Sequence, residues 1–182
     1  MIKGILDIFG AVILLLLLSP FLLVVIILIL IFERDHPFFL QERIGREKQP
    51  FTIIKLRTMK NGKITQLGSI LRKTGIDELP QLLNIIKRDM SFVGPRPLTL
   101  GDVERLEWDT DFHQKRWPVR PGIVGLAQLS PVCHKKMSWF YDQLYLERQS
   151  LILDFKILMA AVMIPFTGKS FVKKRIHGKE KV

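Results

Sequence analysis

The chain has 182 residues, 48% of them hydrophobic, yet carries a formal net charge of +11 and a pI near 10.0. That length allows one domain and an appendage. The charged fraction of 25% excludes a purely membrane-embedded bundle, and the hydrophobicity excludes a disordered basic tail protein. With Cys133 as the only cysteine there is no disulfide framework and no four-cysteine zinc site.

The apolar residues gather at the front. Ile8 to Phe32 contains no charged residue, and at helical rise it reaches roughly 37 Å, enough for the hydrocarbon core of a bilayer. A cleaved signal peptide would have a shorter apolar region ending in small residues, whereas this one ends Ile31-Phe32-Glu33-Arg34. Lys3 and Asp7 cancel, so the whole net charge belongs to the residues after 32, which places the body on the cytoplasmic side. Ser19-Pro20 falls mid-run. Proline removes a backbone hydrogen bond there, and the serine beside it can re-bond the freed carbonyl. A kinked crossing helix and a helix that dips in and returns to the same leaflet both fit, and length favours crossing.

Next, Pro37–Ile44 and Phe51–Met59 read as two extended runs joined by the turn-like Gly45–Pro50, a hairpin. Ile64, Leu67, Ile70 and Leu71 have helical spacing, with a stop at Thr74-Gly75. The segment IDELPQLLNIIKRDM restarts as a helix, with Asp77 and Glu78 in its first turn and Pro80 just inside. SFVGPRPL is too proline-rich for helix or central strand. Residues 101–117 are partly helical, VRPGIVGLAQL is a loop leading into a short strand, and Ser138 to Met163 reads as helix. The tail beyond Thr167 is basic through Lys169, Lys173, Lys174, Arg175, Lys179 and Lys181, a composition that suits anionic headgroups. Nucleic acid is the weaker partner for this charge, because no aromatic residues interleave with the lysines.

Asp77-Glu78 admits two readings. Acidic residues in a first turn commonly serve as caps; an aspartate there could equally attack a phosphorus atom held beside it, given Mg²⁺ and fixed cations. In Gly94-Pro95-Arg96-Pro97 a guanidinium sits on a stiff backbone, suited to bidentate phosphate contact, and Arg120 in Arg-Pro-Gly repeats the device. Lys55, Arg57 and Arg72 add positive charge near the expected helix start. Cys133-His134 lacks a third member for nucleophilic catalysis, and His36, His113 and His177 lack metal-ligand spacing.

Taken together, Ser19-Pro20 in its apolar run, RIGREKQPFTIIKLRTM, DELPQLLNIIKRDMSFVGPRP, VRPGIVGLAQ and LDFKIL resemble the bacterial sugar transferases, the small monotopic phosphoglycosyl transferases that act on polyprenyl phosphate. The resemblance implies an α+β fold: a mainly helical cytoplasmic catalytic domain with a β-hairpin over 33–150. A membrane helix over 1–32, made re-entrant by a break at Ser19-Pro20, would precede it, and an interfacial amphipathic helix with its basic tail over 151–182 would follow. It further implies transfer of a sugar 1-phosphate from a UDP-sugar to undecaprenyl phosphate at the cytoplasmic face of the bacterial inner membrane, with release of UMP. Asp77 would be the nucleophile and Mg²⁺ neighbour, Glu78 its partner, and Arg96 and Arg72 the handlers of phosphate charge; Lys55, Arg57 and Arg120 carry over less directly.

Leu126 stands where many members have tryptophan, Arg88 where many have glycine, and Ser130-Pro131-Val132 where an Asn-Gly-Arg run is common. The sugar therefore stays open between an N-acetylated amino sugar, which the reading favours, and a hexose such as galactose or glucose. A membrane-anchored non-catalytic scaffold for glycan enzymes is the alternative, and a polyprenyl diphosphate hydrolase a third. A homodimer is compatible with the sequence, which carries no pattern arguing for one.

Overall fold

A computed structural model describes residues 2–130 and 135–167, and the side chains of all but Lys135, Pro165, Phe166 and Thr167 among them. Cys133-His134 and the basic tail lie outside the described residues. The chain divides into two compact units, residues 1–42 with 52–88, and residues 43–51 with 89–182. The hairpin is the element that passes from one to the other.

In the first unit, helix α1 spans Ile2–Glu33 and includes Pro20. Pro20 has no N–H for the carbonyl of Leu16, and the Ser19 hydroxyl donates to that carbonyl instead, at 2.9 Å. The segment expected to break at this pair is thus helical on both sides of it and through it. One stripe of the second half, Leu22, Val25 and Ile29, packs with Leu56, Leu71, Leu67, Ile76 and Leu79. Asp7 and Ala11 in the first half are buried as well, while Leu16, Leu17, Leu23, Val24, Ile31 and Phe32 are exposed. Burying one stripe and exposing the rest of so apolar a helix is what a lipid-facing surface requires.

Strands β1 (Phe38–Ile44) and β2 (Pro50–Leu56) pair as the hairpin read from the sequence, around a 3₁₀ turn at Arg46–Lys48. A small antiparallel ladder, β3 (Met59–Lys60) with β4 (Lys63–Ile64), follows. Helix α2 (Gln66–Thr74) is capped by Thr65, whose hydroxyl accepts from Gly68 N, and stops at the left-handed Gly75 (φ 75°). The helix expected from Asp77 to Met90 is instead a 3₁₀ segment, Ile76–Gln81, running into a short α3, Leu82–Ile86. Pro80, which cannot donate a backbone hydrogen bond, lies within the 3₁₀ segment. Arg88 (φ 69°) then turns the chain away.

In the second unit, β5 (Ser91–Val93) and β6 (Gly122–Val124) form a parallel pair, Ser91 opposite Gly122 and Val93 opposite Val124. This agrees with the reading that 91–98 holds no central strand: β5 is one of two strands in its sheet and ends at Val93, before both prolines, which therefore cost it no ladder bond. Helix α4 (Leu100–Leu106) begins in a capping box between Thr99 and Asp102, and a 3₁₀ segment covers Asp111–Arg116.

After α5 (Leu126–Leu129), the expected single helix over 138–163 is two, α6 (Lys135–Glu147) and α7 (Leu151–Thr167). Ser150 divides them, its hydroxyl accepting from Leu153 N at 3.2 Å to start α7. Ile157 of α7 is fully buried in a core with Val93, Leu126, Tyr141 and Tyr145, whereas Ile152, Phe155, Met159 and Val162 are exposed. Spaced at three and four, those four form an apolar outer face, as an interfacial helix would have.

Candidate active site

The first unit gathers its charge around Asp77. Gly75 ends α2 and the next turn begins at Ile76, so Asp77 sits one residue into a 3₁₀ segment whose buried face is Asp77, Pro80 and Gln81. Lys55, on β2, reaches Glu78, its Nζ 2.6 Å from Oε1. Arg72, in the last turn of α2, donates from Nε to the buried Thr58 hydroxyl at 2.8 Å. Thr58 in turn lies against Gly68: a Cβ on that glycine would come within 2.1 Å of the Thr58 carbonyl oxygen. Backbone contact at Gly68 thereby holds the α2 register that places Arg72.

Burial, followed by the neighbouring charge of Glu78, raises the Asp77 carboxyl above its ordinary value. Lys55 and Arg72 pull the other way without cancelling it. A buried carboxylate raised by desolvation and a like charge, with two cations at its side, makes Asp77 a candidate for chemistry as well as for capping.

Of the sequence-derived candidates, Asp77, Glu78, Lys55 and Arg72 are thus brought together. Arg57 is engaged elsewhere. Its Nε donates to the His36 carbonyl at 2.7 Å and its Nη1 lies 3.5 Å from Asp35 Oδ2, which ties β2 to the connection after α1.

The second unit brings the two Arg-Pro loops against each other. Gly94 N donates to Val124 O at 3.0 Å, Gly122 N to Pro95 O at 2.9 Å, and Ser91 N to Pro121 O at 2.9 Å. A Cβ on Gly94 would fall 2.4 Å from the Arg120 carbonyl oxygen, so glycine is what permits the approach. Arg96 is exposed between buried Pro95 and Pro97, and no hydrogen bond or ion pair with the described residues engages its guanidinium.

Sequence reading missed four residues here. Asn84 is fully buried and staples β2, donating to Thr52 O at 2.7 Å and accepting from Ile54 N at 3.1 Å. Gln81, 2% exposed, holds a buried Nε2 with no partner among the described residues, a donor that costs roughly 1–3 kcal/mol unless an acceptor arrives. Arg116 and Asp142 form a buried pair at 3.0 Å, each side chain 3% exposed. Polar residues on an otherwise apolar helical face were the available signal for Gln81 and Asn84; nothing in the sequence pointed to the Arg116–Asp142 pairing.

No cluster of three or more His, Cys, Asp or Glu occurs among the described residues. A magnesium ion needs no such cage, since it keeps water and substrate phosphate ligands beside one or two carboxylates. Asp77 fits that requirement, its carboxyl being raised by burial and then by Glu78 beyond what Lys55 and Arg72 offset, whereas Glu78 is already paired with Lys55.

Residues 1–168 match the family model described as bacterial sugar transferase. This chain belongs to the bacterial sugar transferase family. Among curated relatives, the uncharacterized sugar transferase EpsL of Bacillus subtilis is 39% identical over 69% of this chain and 67% of its own. The UDP-glucose:undecaprenyl-phosphate glucose-1-phosphate transferase of Caulobacter vibrioides is 34% identical over 88% and 68%. The UDP-N-acetylgalactosamine-undecaprenyl-phosphate N-acetylgalactosaminephosphotransferase of Aeromonas hydrophila is 34% identical over 71% of this chain but 35% of its own. The sugar transferase match thus takes in the Asp77 cluster and both Arg-Pro loops, and this chain spans about two thirds of the first two relatives and about one third of the third.

Proposed function

We propose that this chain transfers a sugar 1-phosphate from a UDP-sugar to undecaprenyl phosphate. An Asp77 carboxylate oxygen attacks the phosphorus that bears the sugar, the bond to the nucleotide phosphate breaks, and UMP leaves with those electrons. A phosphate oxygen of undecaprenyl phosphate then attacks the same phosphorus and releases the Asp77 carboxylate, leaving a sugar diphospholipid. The observation that carries this reading is the buried Asp77 with Glu78, Lys55 and Arg72 around it. Burial keeps water from the acyl phosphate, and the cations oppose the charge that gathers on the phosphoryl oxygens.

Glu78, paired with Lys55, orients the approach of the second phosphate, while Arg72 and Arg96 hold phosphate oxygens. Mg²⁺, held at Asp77, would offset diphosphate charge and improve the leaving group. The names of the relatives divide between N-acetylgalactosamine and glucose, so the donor is an N-acetylated amino sugar or a hexose nucleotide, the former taken first.

We further infer a monotopic seat on the cytoplasmic face of the bacterial inner membrane. A helix that left the body to cross a bilayer would have protein cover only at its near end. In α1, Asp7 and Ala11 are covered as well as Leu22, Val25 and Ile29, which favours a helix that enters and returns at Ser19-Pro20. The exposed face of α7 would rest on the same leaflet, and the basic tail on anionic headgroups.

The test is UMP release from a panel of UDP-sugars with undecaprenyl phosphate and Mg²⁺. One or more sugars are turned over by the wild type and none by Asp77→Ala, and labelled phosphosugar is trapped on the wild type. Equal trapping on Asp77→Asn overturns the covalent route; no turnover across the panel with lipid binding intact leaves a scaffold. For topology, cysteines placed at Lys3 and Arg34 react with an impermeant reagent from the same side of sealed vesicles, and opposite sides would show a crossing helix.

A further inference from the structure

Gly94-Pro95-Arg96-Pro97 cannot be fastened as a strand is. Pro95 and Pro97 lack an N–H, so beyond the Gly94 N–H the loop is fastened mainly through its carbonyl groups. The carbonyls of Pro95 and Leu98 accept from backbone, Gly122 N and Ile44 N. Three others accept from side chains: Val93 O from the Tyr145 hydroxyl at 3.0 Å, Arg96 O from Arg116 Nη2, and Pro97 O from Arg43 Nη1 at 3.3 Å.

Each of those three side chains also meets a carboxylate. Asp154 Oδ1 is 2.9 Å from the Tyr145 hydroxyl, whose single proton it shares with Val93 O, Asp142 Oδ2 is 3.0 Å from Arg116 Nε, and Asp102 Oδ2 is 3.6 Å from Arg43 Nη1. The central pair is the most enclosed. The Arg116 guanidinium lies 5.5 Å and 5.3 Å from the ring centroids of Trp108 and Trp117, so its orientation is set by two aromatic rings as well as by Asp142.

We propose that Arg116, held by Asp142, is a positioning residue that fixes the backbone of Arg96, with Tyr145–Asp154 and Arg43–Asp102 bracing the loop on either side. This rests on the reading that Arg96 acts on phosphate. A buried ion pair is poor value as a stabiliser, since an apolar pair of similar volume would serve the core as well or better. What an apolar pair cannot supply is a charged donor to the Arg96 carbonyl. The residue so held is the one exposed member between two buried prolines, and a cation that must meet developing phosphate charge gains from a root that does not move.

The experiment uses the full-length protein in nanodiscs, with Asp142→Asn, Arg96→Ala, the double variant and Tyr145→Phe. Amide hydrogen exchange is followed at Gly94, with Ile53 in the hairpin as a control for global loosening. Asp142→Asn is expected to speed exchange at Gly94, whose N–H is bonded to Val124 O, roughly tenfold or more, leave Ile53 unchanged, and lower kcat for UMP release roughly 10- to 100-fold with a smaller change in KM. In the Arg96→Ala background the same substitution is expected to cost less than about threefold. Unchanged exchange at Gly94, or losses that multiply in the double variant, overturn the proposal. If Asp142→Asn does not fold, Tyr145→Phe, which removes one hydroxyl, is judged by the same two readouts. If the wild type turns over no UDP-sugar, the transfer reaction is what fails, and the exchange measurement still decides the anchor.

Discussion

Lys55 Nζ lies 2.6 Å from Glu78 Oε1, one residue along from the buried Asp77 carboxyl. The pair does two things at once. It holds the Glu78 charge on the side chain that neighbours Asp77, and it brings a cation close enough to pull the Asp77 carboxyl down against burial. Removing Lys55 takes away one of the two cations that oppose burial and the Glu78 charge, Arg72 being the other. Lys55→Met is therefore expected to lower kcat for UMP release roughly 100-fold, the range for losing one preorganised charge at a reacting centre. Thermal stability should change little, because both side chains are partly exposed. Steady-state kinetics beside a melting curve check this; a change in KM alone would place Lys55 in ground-state binding.

The raised Asp77 carboxyl has a consequence for stability. Its protonated form is favoured in the folded protein relative to the unfolded chain, so ionising it costs folding free energy. That cost is full above the folded-state value and vanishes as pH falls below the ordinary value of 3.8, where both states are protonated. Asp77→Asn removes it, so the variant should melt higher than the wild type at neutral pH, with the gap closing towards acid. Mg²⁺ should raise the melting temperature of the wild type and leave Asp77→Asn unmoved. An Asn variant less stable than the wild type at neutral pH would contradict this assignment.

Local signals in the sequence were enough for the hairpin, for α2 with its stop at Gly75, and for the acidic pair Asp77-Glu78 at a turn start, while the roles of Lys55 and Arg72 beside it came from the family resemblance. In each case one strong cue dominates: alternation, helical spacing with a glycine stop, or acidic residues entering a turn. What local pattern could not carry was pairing between distant segments. Nothing in Ser91–Val93 alone announces a parallel partner at Gly122–Val124, and nothing in Arg116 points to Asp142, 26 residues away. Arg57 was misleading for the opposite reason: a cation next to the site in sequence lies one residue past the end of β2, where its guanidinium turns to the His36 carbonyl and to Asp35. Gln81 and Asn84 left one signal, polar residues within an apolar helical segment, but the 3₁₀ segment is what turns Gln81 onto the buried face.

Arg88 follows the end of α3 with φ 69°, and its N–H donates to Ile85 O at 2.9 Å. This is the left-handed exit that glycine takes without strain and other L-residues do not. Arg88→Gly is expected to stabilise the protein by about 0.5–1 kcal/mol, the usual size of such a backbone effect. Activity should be unaltered. A lower melting temperature would mean that the Arg88 side chain makes a contribution larger than its backbone cost.

The two Arg-Pro loops meet with no room between them. A Cβ on Gly122 would stand 2.1 Å from Gly94 N and 2.7 Å from both Val124 O and the Val93 carbonyl carbon, all of them backbone atoms that cannot swing aside. Gly122→Ala must therefore push β5 and β6 apart, breaking the Gly122 N to Pro95 O bond that ties one loop to the other. The expected loss is at least about 2–3 kcal/mol, from overpacking together with the lost bond. Gly62 is the matched control. It has φ 76° and nothing within 4 Å of its Cβ position, so Gly62→Ala bears only backbone strain, about 1 kcal/mol. Melting temperatures of the two variants separate the effects, and UMP release divides them further. Gly122→Ala moves the Arg96 and Arg120 loops and should lose most activity even at temperatures where it remains folded, whereas Gly62→Ala should retain it. Equal activity in the two folded variants would mean that the spacing of these loops does not govern catalysis.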